Sequence, residues 1–385
     1  MIPYGRQSID DADIAAVVAV LKSDWLTTGP KVAEFEKAFA EFAGAKHAVA
    51  VANGTAALHA AMHAAGIGPG DEVIVTPMSF AASANCIVYL GATPVFADVD
   101  PDALLIDPEL AARKITPKTK AIVGVDYAGL PCDWDALRAL AKRHGLTLVD
   151  DACHAVGGSY KGRPAGSLAD LNTFSFHPVK NMTTGEGGMI TTDREDFAKR
   201  LRRFRSHGVT VDFRERMQSN SWFYEMVDLG FNYRITDFQC ALGLTQLKKL
   251  PGWIVRRNAI AAQYDSAFLH PPTPALRPLS PPRYAHVHGR HLYVVRVPAD
   301  RRAGIFAGLR KRGIGVNVHY VPIHLHPFYR ERFGTGPGLC PVAEAAYEQL
   351  ISLPLYPDLT DAQVGEVVEA VRAELRAAGA GGPHP

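Results

Sequence analysis

The sequence has no run of the ~18 consecutive apolar residues that a membrane-spanning helix requires. Its opening, MIPYGRQSIDDADI, lacks a basic start leading into an apolar stretch, so no secretory signal is expected. An excess of one charge is also missing: 41 Lys and Arg against 39 Asp and Glu leave a formal net charge of +2. That balance gives no footprint for nucleic acid and no basic face for a membrane surface. Cysteine is sparse. Cys86, Cys132, Cys153, Cys240 and Cys340 are odd in number, scattered, and never spaced as CxxC. The expectation is reduced thiols in a cytoplasm, not disulfides or a zinc site. HExxH is absent, and no GxGxxG follows the first strand, which removes the usual signatures of a zinc hydrolase and of a dinucleotide oxidoreductase. No internal repeat is visible.

What is present fits a two-domain globular chain. At 385 residues it exceeds one ordinary core, and 47% hydrophobic with 21% charged residues is a soluble composition. Ile14, Val17, Val18 and Leu21 recur at helical spacing behind a Ser8/Asp11 start signal. A second helix is expected over 32–42, with Phe35 and Phe39 inward and Gly44 as its stop. AVAV (48–51) then leads through Asn53-Gly54 into a helix of small residues. VIVT (73–76), PVFADV (94–99), AIVGVD (121–126) and TLVDD (147–151) are further apolar strands, with helices over 80–90 and 134–144. NTFSFH (172–177) and GMITT (188–192) close the run. Continuously apolar strands alternating with helices predict an α/β domain with a mostly parallel sheet covered on both faces. PPTPALRPLSPPR (271–283) reads as a connector. Beyond it, HLYVVRV (291–297), a helix over 301–312, strand material near 314–321 and two more helices predict a smaller α+β unit. A Thr360/Gln363 capping box opens the last helix, and the tail 377–385 is expected to be disordered. The expected domains are 1–250 and 251–385.

Ligands of open parallel sheets bind beyond the carboxyl ends of the strands, so residues just after strands are the candidates for chemistry. Asn53-Gly54-Thr55-Ala56 opens a helix at such a point, where free N–H groups and the helix dipole favour a phosphate. Taken alone, an ordinary Thr cap after a glycine turn is the commoner reading of that pattern. Asp150 and Asp151 end a strand and alternate in direction, so one can face a ligand while the other faces away. A carboxylate beside a pyridine nitrogen keeps it protonated and makes the ring an electron sink, although strand-end acids also serve as caps. His154 lies one turn on. Lys180, in SFHPVK before TTGEGG, has Ser175 five residues earlier and glycines after it. A lysine forms Schiff bases with aldehydes once its amine is deprotonated, which a low-polarity site encourages. Phe80, after VIVT, could stack on a flat ring or belong to the core.

Together these residues bear a resemblance. From SDWLTTGPKVAEFE through NGTAALHAA, VDDACHAVG, FSFHPVKNMTTGEGG and GFNYRITDFQCALGLTQL to VHYVPIHLHPFY, the chain resembles the DegT/DnrJ/StrS sugar aminotransferases. These are pyridoxal-phosphate (PLP) enzymes of fold type I, the aspartate aminotransferase-like fold. The SF-xxx-K-xxxx-GEGG stretch carries most of the specificity. Carried over by position, the resemblance makes Lys180 the cofactor-binding lysine and Asp151 the partner of the pyridine nitrogen. It sets Thr55, Ala56 and Ser175 around the phosphate, Phe80 on the ring face and His154 near the ring hydroxyl. It implies a homodimer in which Asn232 crosses a two-fold axis to the neighbour's cofactor phosphate. The loop of about 205–230 fits that expectation, because Phe223, Tyr224, Met226, Leu229, Phe231 and Tyr233 would form an exposed patch on one chain. Within the family the chain looks most like the transaminases that aminate C4 of a UDP-linked 4-keto-6-deoxy-hexose on the pseudaminic acid route, with glutamate the usual donor. A dehydratase of the same fold would carry histidine where Lys180 stands. A PLP-fold regulatory or sugar-binding protein without turnover would keep the fold but need not keep Lys180 with Asp151. His286, His288, His291, His319, His324 and His326 mix strand and loop spacing and read as loop residues of the smaller domain, some of them near the nucleotide-sugar. No metal is expected.

Overall fold

The computed structural model describes residues 1–211, 213–273 and 275–380. Its first helices are α1 (Asp11–Leu21) and α2 (Pro30–Ala43). Four strand–helix alternations and a fifth strand follow: β1 (His47–Val51), α3 (Gly54–Ala64), β2 (Glu72–Val75), α4 (Ala82–Val88), β3 (Thr93–Phe96), α5 (Pro108–Ala112), β4 (Thr119–Val125), α6 (Trp134–His144) and β5 (Thr147–Asp151). The short strands β6 (Ser159–Tyr160) and β7 (Arg163–Pro164) precede β8 (Leu171–Ser175) and β9 (Gly188–Thr192). Then come α7 (Glu195–Arg205), α8 (Phe213–Gln218) and the long α9 (Asp237–Leu269).

The main sheet has seven strands in the order β1-β9-β8-β5-β4-β2-β3. β2 through β5 and β8 pair in parallel, whereas β9 is antiparallel to both of its neighbours. β8 and β9 have no helix between them, so the chain turns back instead of crossing over. Strand residues such as Val49, Ile74, Ile122 and Val149 are wholly buried, as expected for a sheet covered on both sides. Phe35 and Phe39 of α2 do point inward, packing with Phe174 and Phe176 from the sheet; the Phe39 and Phe174 rings are 4.9 Å apart. This is the α/β domain with a mostly parallel sheet covered on both faces that the sequence predicts.

Several local expectations need correction. The apolar stripe of α1 faces outward: Ile14, Val18 and Leu21 are exposed, while Asp13 and Val20 are buried. Asp13 turns the helix, because its carboxylate accepts from Thr245, Gln246 and Lys249 of α9. The N-cap is Asp10, which forms a capping box with Asp13, and not Ser8. Tyr233 is packed among His59, Phe204 and Phe231 and does not share the exposure of its neighbours. In 271–283, residue 274 lies outside the described residues, and Arg277–Pro278 form an edge strand on Tyr293–Arg296. The stretch 314–321 makes only the isolated bridges of Ile314 with Ile2 and Asn317 with Ser352.

The smaller unit has a three-stranded antiparallel sheet of Arg277–Pro278, Tyr293–Arg296 and Leu350–Leu353, with helices Arg302–Lys311 and Asp361–Ala380. The Thr360/Gln363 capping box is formed as the sequence predicts. Of the tail, Ala377–Ala380 continue the last helix and 381–385 lie outside the described residues. The expected boundary at 250/251 falls inside α9, which continues through Pro251. Leu247, Leu250 and Ile254 pack with the large unit, whereas Ile260, Tyr264 and Phe268 belong to the second core. Ile2, from the chain's start, joins that second core as well. A single helix thus ties the two units together. Among the described residues no helix is long and apolar enough to cross a membrane.

Candidate active site

The parallel strands end at a cavity of about 610 Å³, a size that suits a cofactor with part of a substrate. Thr55, Phe80, Asp151, His154, Ser175 and Lys180 all line it, though they come from four separate stretches of chain.

α3 begins at this cavity. Asn53 caps the helix, its Oδ1 accepting the Ala56 N–H at 2.8 Å. The N–H groups of Gly54 and Thr55 have no acceptor within the helix and border the cavity at the dipole's positive end. Ala56 itself lies behind the wall, 2% exposed, with its N–H held by Asn53. Close backbone approach shapes this cradle. A Cβ at Gly54 would stand 2.7 Å from the Ser175 Cβ, and one at Gly188 would stand 2.4 Å from the Asn53 carbonyl oxygen. Gly188, among the glycines after Lys180, therefore lets β9 lie against the start of α3. Gly188→Ala must push backbone apart. We expect it to weaken PLP binding about tenfold and lower stability by about 1–3 kcal/mol, read by cofactor titration and thermal denaturation. Gly304→Ala, with open space around it, should match the native chain.

β5 separates its two aspartates. Asp151 faces the cavity, where Oδ2 accepts from Ser83 Oγ at 2.5 Å and Oδ1 from the Cys153 N–H at 3.3 Å. The Ser83 and Ser79 hydroxyls are 2.7 Å apart, forming a short chain behind the carboxylate. Asp150 points the other way into protein, because helices cover that face too. It is wholly buried, and neither carboxylate oxygen has a partner. Burial, together with the nearby Asp126 and Asp151, pushes its pKa well above the ordinary carboxylate value.

Lys180 sits in the turn after β8, its N–H donating to the His177 carbonyl at 2.9 Å. Its neighbour Asn181 anchors the turn by donating to the Val156 and Gly289 carbonyls. The protein around the ammonium lowers its pKa below the usual lysine value, with Cys153 and Asp151 opposing that shift. A lowered pKa raises the fraction of free amine, which Schiff-base formation and proton transfer both require.

Phe80 is 61% exposed, leaving a bare aromatic face on the cavity wall. His154 is fixed as a neutral ring. Its Nδ1 accepts the Ala128 N–H at 3.3 Å, so the proton lies on Nε2, 3.0 Å from the Tyr320 hydroxyl. Burial, then the charge of Lys180, hold its pKa well below the usual histidine value.

The smaller unit supplies the opposite wall with Asn317, His319 and Tyr320. His319 lies between Asn317 at 3.2 Å and Ser352 at 2.8 Å, its pKa lowered to about 4 by burial and by Lys180. Of the other small-unit histidines, His291 lines the cavity, whereas His324 bonds Glu344. Among the described residues no group of three or more His, Cys, Asp or Glu could hold a metal ion. Ser79, Ser83, Asn317 and Tyr320 were not legible as site residues from sequence. Ser83 lies inside a helical stretch and Asn317–Tyr320 look like strand, with no motif to mark either.

The residues present fit PLP. A lysine of lowered pKa suits its aldehyde, a strand-end aspartate its ring nitrogen, an exposed phenyl face its ring, and a helix start with the Thr55 and Ser175 hydroxyls its phosphate. Asn232 does not join this cavity. It is exposed, bridged to Ser206, beside Phe223, Tyr224, Met226, Leu229 and Phe231, which are all exposed on the single chain.

Comparison with known proteins agrees with this geometry. Residues 7–372 match the DegT/DnrJ/EryC1/StrS aminotransferase family. The spore coat polysaccharide biosynthesis protein SpsC of Bacillus subtilis is 45% identical over 387 residues, covering 98% of both chains. The PLP form of Spr1654 from Streptococcus pneumoniae, described as a sugar aminotransferase, superposes with a TM-score of 0.91 at 35% identity, covering 98% of this chain and 99% of that one. Helicobacter pylori PseC, an aminotransferase involved in the biosynthesis of pseudoaminic acid, does so at 0.90 and 34%, covering 98% and 99%.

Proposed function

We propose that this chain, which belongs to the DegT/DnrJ/EryC1/StrS aminotransferase family, moves an amino group from L-glutamate to C4 of a UDP-linked 4-keto-6-deoxy-hexose. It is a sugar aminotransferase, and its cofactor is PLP, which when bound supplies an electron sink for proton removal from the amino-bearing carbon. The observation that carries the assignment of residues is the meeting of Lys180, Asp151, Phe80, Thr55 and Ser175 in one cavity.

In this reading Lys180 holds the cofactor in the resting enzyme. Its amine, of lowered pKa, would be the base that takes the proton from the donor's amino-bearing carbon. Asp151, steadied by Ser83, holds a proton on the pyridine nitrogen. The N–H groups at the start of α3 with Thr55 and Ser175 bind the phosphate, Phe80 covers the ring, and His154 with Tyr320 borders the ring hydroxyl. The choice of UDP and of a 4-keto sugar draws on the pseudoaminic acid route named for PseC and on the polysaccharide role named for SpsC. The test is to incubate the PLP-loaded protein and ¹⁵N-glutamate with a panel of nucleotide-linked keto-sugars and find ¹⁵N in a product by mass. A panel in which no sugar gains nitrogen overturns the reading.

The enzyme works as a cytoplasmic homodimer with two shared sites, each completed by Asn232 of the partner subunit. Support comes from Asn232 standing outside its own chain's cavity and beside an exposed apolar patch. All five cysteines are free, as a reducing compartment requires. Mixing inactive Lys180→Ala chains with inactive Asn232→Ala chains should restore up to about a quarter of the native activity. In a hybrid dimer one site carries both lesions and the other neither. An active monomer, or mixtures without recovery, would contradict the shared site.

A further inference from the structure

Three residues of α3 stand about one turn apart: Thr55 at the cofactor cavity, then His59, then His63. His59 does not line the cavity. It is 4% exposed, and the rings of Tyr89, Phe204, Phe231 and Tyr233 surround it with centres 5.0 to 5.9 Å away. Its Nδ1 lies 3.1 Å from the Tyr233 hydroxyl, while its buried Nε2 has no partner among the described residues. Burial, then the nearby His63, lowers its pKa to about 4, so the ring is neutral. Leucine or phenylalanine would fill such a space without leaving a buried nitrogen unpaired. What histidine adds here is the bond to Tyr233.

Phe231 and Tyr233 flank Asn232, and their rings stack on each other at 5.1 Å and 17°. Asn232 bridges Ser206, and the Phe231 and Tyr233 N–H groups donate to the Phe204 and Arg205 carbonyls at 2.7 and 3.0 Å. Alternate residues of a segment paired in this way point to opposite sides. Holding Phe231 and Tyr233 inward on His59 therefore turns Asn232 outward, where it is exposed. His63 adds a second hold. It stacks on Phe204 at 4.2 Å, and its Nε2 is 3.1 Å from the carboxylate of Asp228, three residues before Phe231.

We infer that His59 is a positioning residue for Asn232, so that one helix serves two cofactor pockets. The start of α3 cradles the phosphate in its own chain, and the next turn aims the asparagine that completes the other site. The inference rests on the shared-site reading. The test asks which pocket a His59 lesion damages. His59→Ala, with folding and dimer formation checked by circular dichroism and light scattering, should bind PLP about tenfold more weakly and turn over about tenfold more slowly. His59→Asn, which can still bond the Tyr233 hydroxyl, should recover part of both losses. Mixed with inactive Lys180→Ala chains, His59→Ala should give about a quarter of native activity, as Asn232→Ala does. In the hybrid, the site that keeps Lys180 is completed by the chain whose His59 is intact. If His59 served only its own chain's pocket, that site would carry the lesion and the mixture would equal the mean of its parents. Such a result, beside recovery with Asn232→Ala, overturns the inference and leaves the shared site standing. No recovery in either mixture removes the shared site and this inference with it. Should His59→Ala fail to fold, Tyr233→Phe, which loses only the hydroxyl, should bind PLP about threefold more weakly, and native affinity there overturns the inference.

Discussion

Lys180→Ala should remove turnover by roughly 10⁴-fold or more, because two tasks fall on one amine. The first is covalent capture of the cofactor aldehyde, for which Lys180 stands in the pocket with a lowered pKa. The second is proton transfer at the donor carbon, which the same amine is placed to carry once the donor has displaced it. His154, His291 and His319 are neutral, but burial holds their pKa values so low that they are poor bases. The variant should still fold and bind PLP, since the helix start, Thr55, Ser175 and Asp151 remain. Borohydride should reduce a lysine–cofactor link in the native protein, and peptide mass spectrometry should find it at Lys180. A label on any other lysine would move the role elsewhere.

Asp151→Asn should keep the fold and much of the PLP affinity while slowing turnover roughly 10²–10³-fold. The amide has nearly the carboxylate's shape, and the Ser83 and Ser79 hydroxyls can rotate to suit it. It cannot hold a proton on a pyridine nitrogen, so the sink is lost while the contacts stay. The neighbouring Asp150 cannot replace it, being on the far face of β5, wholly buried. Near-native rates in Asp151→Asn, with Asp150→Asn impaired instead, would reverse this assignment.

The large domain was legible because its signals are local. Apolar strands, glycine stops and caps mark β1 through β5 and α6 with little interference, and β9 comes where GMITT placed it. α1 misled for a reason that lies elsewhere in the chain: buried Asp13 answers to Thr245, Gln246 and Lys249, more than 230 positions away. α9 likewise runs across the expected boundary at 250/251. A proline inside a helix is tolerated when packing on both sides holds the helix, as Leu250 and Ile260 do around Pro251. In the site, motif-bearing residues such as Lys180 and Asp151 could be named in advance. Ser83, which steadies Asp151, could not, because only the crossing of α4 over β5 brings it within bonding distance.

The central claim is that nitrogen passes through the enzyme to a sugar. The most direct test loads the PLP-bound protein with ¹⁵N-glutamate, removes all free donor by gel filtration, and then adds the UDP-linked 4-keto-6-deoxy-hexose. The account predicts ¹⁵N-labelled amino-sugar in an amount close to one per chain, with 2-oxoglutarate released in the first step and none in the second. Labelled protein that leaves the keto-sugar unchanged, or a sugar aminated only while free glutamate is present, would contradict it.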